Sequence, residues 1–459
     1  MATLMLVDGV NEREPTLISD GSLQYTIGAE YRVGEPGGPF VARGRALYGD
    51  LGTATGVGLY EAGFDGSPGY IIAQEGDNIS AALIQDGTLG FVAVTSFPTG
   101  SSAVVGTHYA NRHYLASGTA NKRLELDGTV IAYPIGMSTS GISISYGLAI
   151  TGGSMSATTG LEYWFTEYDS VRGIESITGY TTNTGAFSSR AYVEIFAFGT
   201  SSNSTADKLR AYRSVDGGGF PDGGLIYEGA IGVTSFQDTN TVTGSLTVPL
   251  YGIVSVGGLD SERDAAPPVL SFIFPAPFQD SLLGVDPEEP RVLRFTPAGY
   301  PDSWPERYGL PLDTGRRDEI VSGVILPGRI GTFCRDSVHV IFRLPRDSDS
   351  IFAAGEMSDV VTSARGCASR RGSCTFTPPG AAGLAAFVSR DGIWATDLTS
   401  SPLPLTDRID WDGRVSIADL ATCRLVDDPQ NRRLVFLHRK LTDTTYSTGV
   451  WYLDYQEFS

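Results

Sequence analysis

The chain has 459 residues, 57 of them Gly and 25 Pro, about 18 % together against roughly 12 % in average usage. At 41 % hydrophobic and 19 % charged it is too apolar and too weakly charged for a disordered chain, and its glycines lack the three-residue period of collagen. A formal charge of −19, from 33 basic and 52 acidic residues, excludes a general basic field for nucleic acid or anionic membranes.

The N-terminus, residues 1–8, has no basic start and only four apolar residues in a row, so a secretory signal is not expected. No apolar run reaches the ~18 to 20 residues of a membrane helix, and no membrane insertion by this chain is expected. Asp-Gly pairs recur at 8–9, 20–21, 65–66, 86–87, 127–128, 216–217, 222–223, 391–392 and 412–413. Between apolar runs this dipeptide signals a tight hairpin, because a type I′ turn needs positive φ at both central residues. Two cases are clean: residues 81–85 and 89–94 around Asp86-Gly87, and residues 123–126 and 130–133 around Asp127-Gly128. No stretch keeps apolar i, i+3, i+4, i+7 spacing over a dozen residues without Gly or Pro, so the chain reads as all-β.

Hairpin-like units fall at about 44–64, 68–97, 103–133, 267–298, 320–345, 383–408 and 431–455. A period of roughly 30 to 45 residues suggests a β-propeller of six to eight blades, each a four-stranded antiparallel sheet. Residues 137–255 break the rhythm. Their runs at 161–168, 173–176, 191–196, 209–214 and 235–239 read as strands of one inserted β-sandwich, and residues 256–268 as the return linker. The expected division is therefore propeller over 1–136, sandwich over 137–255 and propeller again over 256–459.

Thirty of the 33 basic residues are Arg, and 19 of these lie in residues 291–459. Arginine forks suit interfacial ion pairs; Arg-favouring codon usage explains the bias equally well. Cys334, Cys367, Cys374 and Cys423 do not have zinc-ribbon spacing and read as buried free thiols. His108 and His113 are five apart; on a single strand an odd offset puts them on opposite faces, which speaks against a shared metal. No Walker loop, nucleophile elbow or zincin motif occurs. The carboxylate groups Glu125/Asp127, Asp286/Glu288/Glu289 and Asp427/Asp428 are of the kind that chance supplies among 52 acids. A glycosidase would need two carboxyls facing each other across a cleft. The five Trp, at 164, 304, 394, 411 and 451, read as packing residues, with Trp304 in its Pro-rich loop the one expected at a subunit contact.

Several segments carry a family likeness in order along the chain. They are Gly9-Val10-Asn11, residues 20–23 and 43–45, residues 114–118 followed by 122–128, and residues 163–168 with 173–176. Residues 210–214, 234–239, 294–297, 300–305, 318–323, 338–343, 366–370, 387–394 and 427–429 complete the set. This order resembles the propeller-type tail nozzle proteins of short-tailed bacteriophages, with one departure at Thr296, where that family carries Ser. The resemblance implies a non-enzymatic virion protein, made in the host cytoplasm, with a fibronectin-III-like insert. It implies a homo-oligomeric ring, a hexamer, that closes the tail channel and guides DNA ejection. Its partners would be its own copies, a tail adaptor ring and tail fibres, with DNA as non-specific cargo and no cofactor or metal. Acidic walls would let the duplex slide, where cationic ones would hold its phosphates. Contact residues expected for such a ring are Trp304, Arg316, Arg317, Arg370 and Arg371. A carbohydrate-binding or carbohydrate-cleaving propeller (a tail depolymerase or lectin) is the alternative, as is a virion component of the capsid or adhesion apparatus.

Overall fold

The computed structural model describes residues 11–13, 56–62, 70–83, 91–99, 104–138, 140–148, 155, 158–176, 181–214, 223–239, 266–305, 308–312, 318–345, 358–379, 382–407, 410–429, 432–439 and 448–455. They form antiparallel sheets throughout, with one short 3-10 helix at Ile417–Thr422. Among them no helix is long and apolar enough to cross a membrane.

The chain divides into two compact units. The first holds six four-stranded antiparallel sheets among the described residues, and it is a β-propeller. In chain order its blades are 1 (Gly56–Ala62, Tyr70–Glu75, Asn78–Leu83, Val92–Ser96) and 2 (Val105–Tyr109, Arg112–Ala116, Asn121–Asp127, Thr129–Tyr133). Blade 3 is Phe272–Ile273, Leu283–Val285, Val292–Phe295 and Gly309–Pro311, and blade 4 is Ile320–Leu326, Arg329–Cys334, Val338–Ile341 and Ser358–Thr362. Blade 5 is Ser373–Phe376, Leu384–Ser389, Gly392–Thr396 and Leu403–Pro404. Blade 6 takes three strands from the C-terminal end (Arg424–Asp428, Arg433–Arg439, Thr448–Asp454) and its fourth from Asn11–Arg13, which pairs antiparallel with the last of them. Joining residues from the two ends of the chain in one sheet leaves no unpaired edge on the last C-terminal strand. Residues 44–64 and 68–97, expected as separate units, contribute to one blade: Gly56–Ala62 pairs with Tyr70–Glu75.

Consecutive blades pack face to face. Ile72, Ile79 and Phe97 of blade 1 share a core with Leu115, Leu124 and Val130 of blade 2. Val324 and Phe333 of blade 4 meet Ala385 and Phe387 of blade 5, and Val388 and Ile393 of blade 5 meet Leu425, Phe436 and Trp451 of blade 6. Strands with neighbours on both faces lose their polar alternation, as Leu384–Ser389 does, with five of its six residues buried.

The turns only partly follow the Asp-Gly signal. The Asp127-Gly128 hairpin forms, with Gly128 at φ 70°. The strands around Asp86-Gly87 pair, although that turn lies outside the described residues. Elsewhere the two-residue turns are Gly76-Asp77, Ala110-Asn111, Pro327-Gly328 and Arg390-Asp391, read from the closing pairs Glu75↔Asn78, Tyr109↔Arg112, Leu326↔Arg329 and Ser389↔Gly392.

The second unit comprises Tyr133–Pro268 and Phe295–Tyr308, wider than the expected 137–255. It is a sandwich of a three-stranded sheet (Ser143–Leu148, Val193–Phe198, Ser235–Asp238) and a five-stranded one built on Glu162–Asp169 and Lys208–Ser214. Its core draws Val193 and Ile195 from one sheet and Tyr163, Phe165, Leu209 and Ala211 from the other.

A buried carboxylate anchors the loops of this sandwich. Glu167 accepts hydrogen bonds from Ser140 Oγ (3.0 Å), Gly141 N (3.1 Å), Ser201 Oγ (2.6 Å), Asn203 N (3.1 Å) and Asn203 Nδ2 (2.8 Å). Burial alone would raise its pKa, but the hydrogen bonds from Ser201, Asn203, Ser202 and Ser140 outweigh it and hold the carboxyl below its ordinary 4.5. A depressed folded value means that the stabilisation is complete above the unfolded value and is lost as pH falls through the folded one. Glu167→Gln is therefore expected to be less stable than the parent at pH 7, with the gap closing as pH drops below about 4.5. Urea unfolding across that range measures this; a pH-independent gap would count against it.

Candidate functional site

Of the five residues expected at a subunit contact, Trp304, Arg370 and Arg371 fall among the described residues. Arg316 and Arg317 lie outside the described residues. Trp304, expected at a subunit contact, is buried within the chain, 3 % exposed. Trp164, Trp411 and Trp451 are buried as well, and Trp394 is half-buried beneath the Arg365 guanidinium, 3.9 Å from its ring centroid.

Arg370 and Arg371 sit on the segment that enters the innermost strand of blade 5, and that segment is the hub of the ring. The Arg370 guanidinium donates to Ser271 O at the entry of blade 3 (2.9 Å), and the Arg371 guanidinium donates to Val104 O at the entry of blade 2. Ser322 Oγ of blade 4 donates to Arg370 O (2.9 Å) and lies 2.7 Å from Ser373 Oγ. Leu425 N of blade 6 donates to Arg371 O (2.8 Å), placing Arg371 beside Arg424 in a parallel bridge. Inner strands of successive blades are neighbours: blade 2 beside blade 3, blade 4 beside blade 5, blade 5 beside blade 6. The two arginine side chains thus tie the entry of blade 5 to the entries of blades 3 and 2, beyond the neighbours its inner strand packs against. Expected at a subunit contact, Arg370 and Arg371 spend their guanidiniums on strand-entry carbonyls within the chain. Burial lowers the pKa of Arg370 and of Arg424. Sequence reasoning missed Arg424 altogether, because nothing local marks it as the neighbour of Arg371.

The cysteines are all free. Burial pushes the Cys334 and Cys367 thiols up to about 12, and those of Cys374 and Cys423 upward as well, which suppresses the reactive thiolate.

The carboxylate groups are engaged in structure. Glu125 is ion-paired with Arg112 (3.1 Å) and Arg123 (2.8 Å). Asp286 accepts from Glu288 N (2.8 Å) and Asp428 from Arg433 Nε (2.8 Å). Burial raises the Asp427 carboxyl, a hydrogen bond from Tyr455 opposes this, and Asp428 adds repulsion. Adjacent on one strand, Asp427 and Asp428 point to opposite faces and do not face each other across a cleft. A cleft of about 310 Å³ in the sandwich, lined by Ile142, Ala197, Thr200, Ser201, Ile231 and Val233, has no titratable side chain on its wall.

The two histidines of blade 2 overturn the expectation of opposite faces. Ala110 and Asn111 both have positive φ, 49° and 61°, so the chain reverses between His108 and His113 in a type I′ turn. The two residues are directly opposed across the hairpin, with ring centroids 4.7 Å apart and planes tilted by 33°. The five-residue offset spans two strands and a turn, so the parity rule for one strand does not apply. Among the described residues no group of three or more His, Cys, Asp or Glu side chains has the geometry to hold a metal ion.

No protein-family model matches the chain, and no curated protein matches it. Solved structures similar to it include virginiamycin B lyase from Staphylococcus aureus (10 % identity, TM-score 0.32, covering 97 % of this chain and 100 % of that one). YCF48 bound to D1 peptide is another (10 % identity, TM-score 0.33, covering 96 % and 98 %). A third is BBS1N in complex with ARL6DN (9 % identity, TM-score 0.28, covering 86 % and 90 %). At such identities and scores the propeller assignment rests on the six sheets themselves.

Proposed function

We propose that the chain is a ring-forming structural protein of a phage virion, a tail nozzle that closes the tail channel and guides DNA out. The observation that carries the reading is the architecture at the places where the family-like segments fall. Residues 163–168, 173–176, 210–214 and 234–239 supply strands of one sandwich, and that sandwich interrupts a propeller between blades 2 and 3. The net charge of −19 fits a protein past which DNA slides, because like charge prevents the counterion-release binding that would stall it.

Electron microscopy of the purified full-length protein, with native mass measurement, tests the proposal. The expected result is a closed ring, six copies by the resemblance, with an axial opening wide enough for duplex DNA. A particle that stays monomeric at every concentration and cleaves host glycans would overturn it in favour of a carbohydrate-active propeller.

A further inference from the structure

We propose that His108 and His113 form a two-imidazole site on blade 2 for a divalent transition-metal ion of the copper–nickel–zinc class. The argument begins at the turn. With Ala110 and Asn111 both in the left-handed region, Tyr109 and Arg112 close a two-residue hairpin. In such a hairpin the pair flanking the turn is hydrogen-bonded, so the next pair, His108 and His113, is non-hydrogen-bonded. That is the close type of cross-strand pair, with Cα atoms only about 4.5 Å apart and side chains leaning together on one face. The observed ring separation of 4.7 Å agrees. A metal held at about 2.0 to 2.1 Å from each imidazole nitrogen needs the two nitrogens roughly 3 Å apart, within reach of a modest rotation of His108.

The two rings have complementary roles. His113 is buried, 4 % exposed, and its ring is held in place by packing. His108 is exposed, free to adjust, and accessible to an ion from solvent. Each neutral imidazole offers one nitrogen lone pair, and imidazole suits Zn, Cu and Ni over the hard cations Mg and Ca. With two protein ligands the remaining coordination positions belong to water, so the ion exchanges readily. Binding forms two metal–nitrogen bonds, releases metal-bound water and involves no redox change.

The test uses the tag-free full chain, stripped with a chelator and dialysed, then titrated calorimetrically with NiCl₂ and separately with CuCl₂ at pH 7.5. The expected result is one saturable ion per chain, with the Cu²⁺ spectrum in electron paramagnetic resonance showing coupling to two imidazole nitrogens. His108→Ala should weaken binding by at least tenfold and leave the thermal midpoint unchanged, because the residue is exposed. His113 is buried, so His108→Ala is the deciding variant. Absence of saturable binding for both ions, or unaltered affinity in His108→Ala, overturns the site. Neither result bears on the ring proposal, whose readout is particle shape.

Discussion

Replacing Asp238 with Ala is expected to remove about 3 to 5 kcal/mol from the stability of the sandwich. Asp238 Oδ2 accepts from Arg213 Nη1 at 2.6 Å and from the Tyr163 hydroxyl at 2.8 Å, and both partners of the ion pair have fully buried side chains. Burial, followed by the Asp238 charge, raises the Tyr163 phenol far above its ordinary value, so Tyr163 stays a neutral donor. Without the carboxylate, the buried Arg213 cation loses the anion 2.6 Å from it, and that penalty exceeds the loss of the hydrogen bonds themselves. The double replacement Arg213→Met/Asp238→Leu should regain most of the loss, because it removes both charges and keeps the volume filled. Urea unfolding followed by Trp164, which stacks on Tyr212 at 6.3 Å inside the same unit, reads both variants. A loss below about 1 kcal/mol for Asp238→Ala would show that the pair contributes no more than a surface one.

The second large effect is expected at the joint between blades 3 and 4. A Cβ added to Gly323 would lie 1.9 Å from Cε1 of Phe274, whose ring is fully buried and stacked on Phe272 at 5.4 Å. Gly323 is therefore the floor on which an aromatic of the adjacent blade rests. Gly323→Ala should destabilise the propeller by at least about 1 to 3 kcal/mol through overpacking, and Phe274→Ala by about 3 to 5 kcal/mol through the cavity it leaves. Because each change relieves the defect made by the other, the double variant should lose less than the sum by 1 kcal/mol or more. Thermal unfolding of the four proteins in the cycle measures this. Strict additivity would mean that the ring and the glycine do not share the contact.

Both predictions concern contacts between segments far apart in the chain, and neither was legible in the sequence. Gly323 sits in the run Ile320–Leu326 as one small residue among apolar ones, with nothing to mark Phe274 as its neighbour. Asp238 falls in the run 235–239, read as a strand, with nothing to mark Arg213 as its partner. The histidine pair was legible only as an offset, and the parity argument failed because it assumed one strand where a two-residue turn without glycine makes two. The hub arginines were visible as a bias toward Arg in the last third, which does not say whether a guanidinium meets a partner chain or a carbonyl of another blade.

What the sequence determined by itself was local: the all-β class, most of the strand positions, and the change of rhythm where the sandwich begins. Those properties follow from side-chain alternation and turn chemistry, which act within a few residues. The tertiary structure alone decided that there are six four-stranded sheets among the described residues, and that the last is completed by Asn11–Arg13. It also decided that Trp304 is buried, that His108 meets His113, and that Arg370 and Arg371 bind carbonyls of blades 3 and 2. The place of each blade depends on the twist accumulated over those before it, and a hydrogen bond between distant blades exists only once they are all in place. No window of the sequence holds that sum.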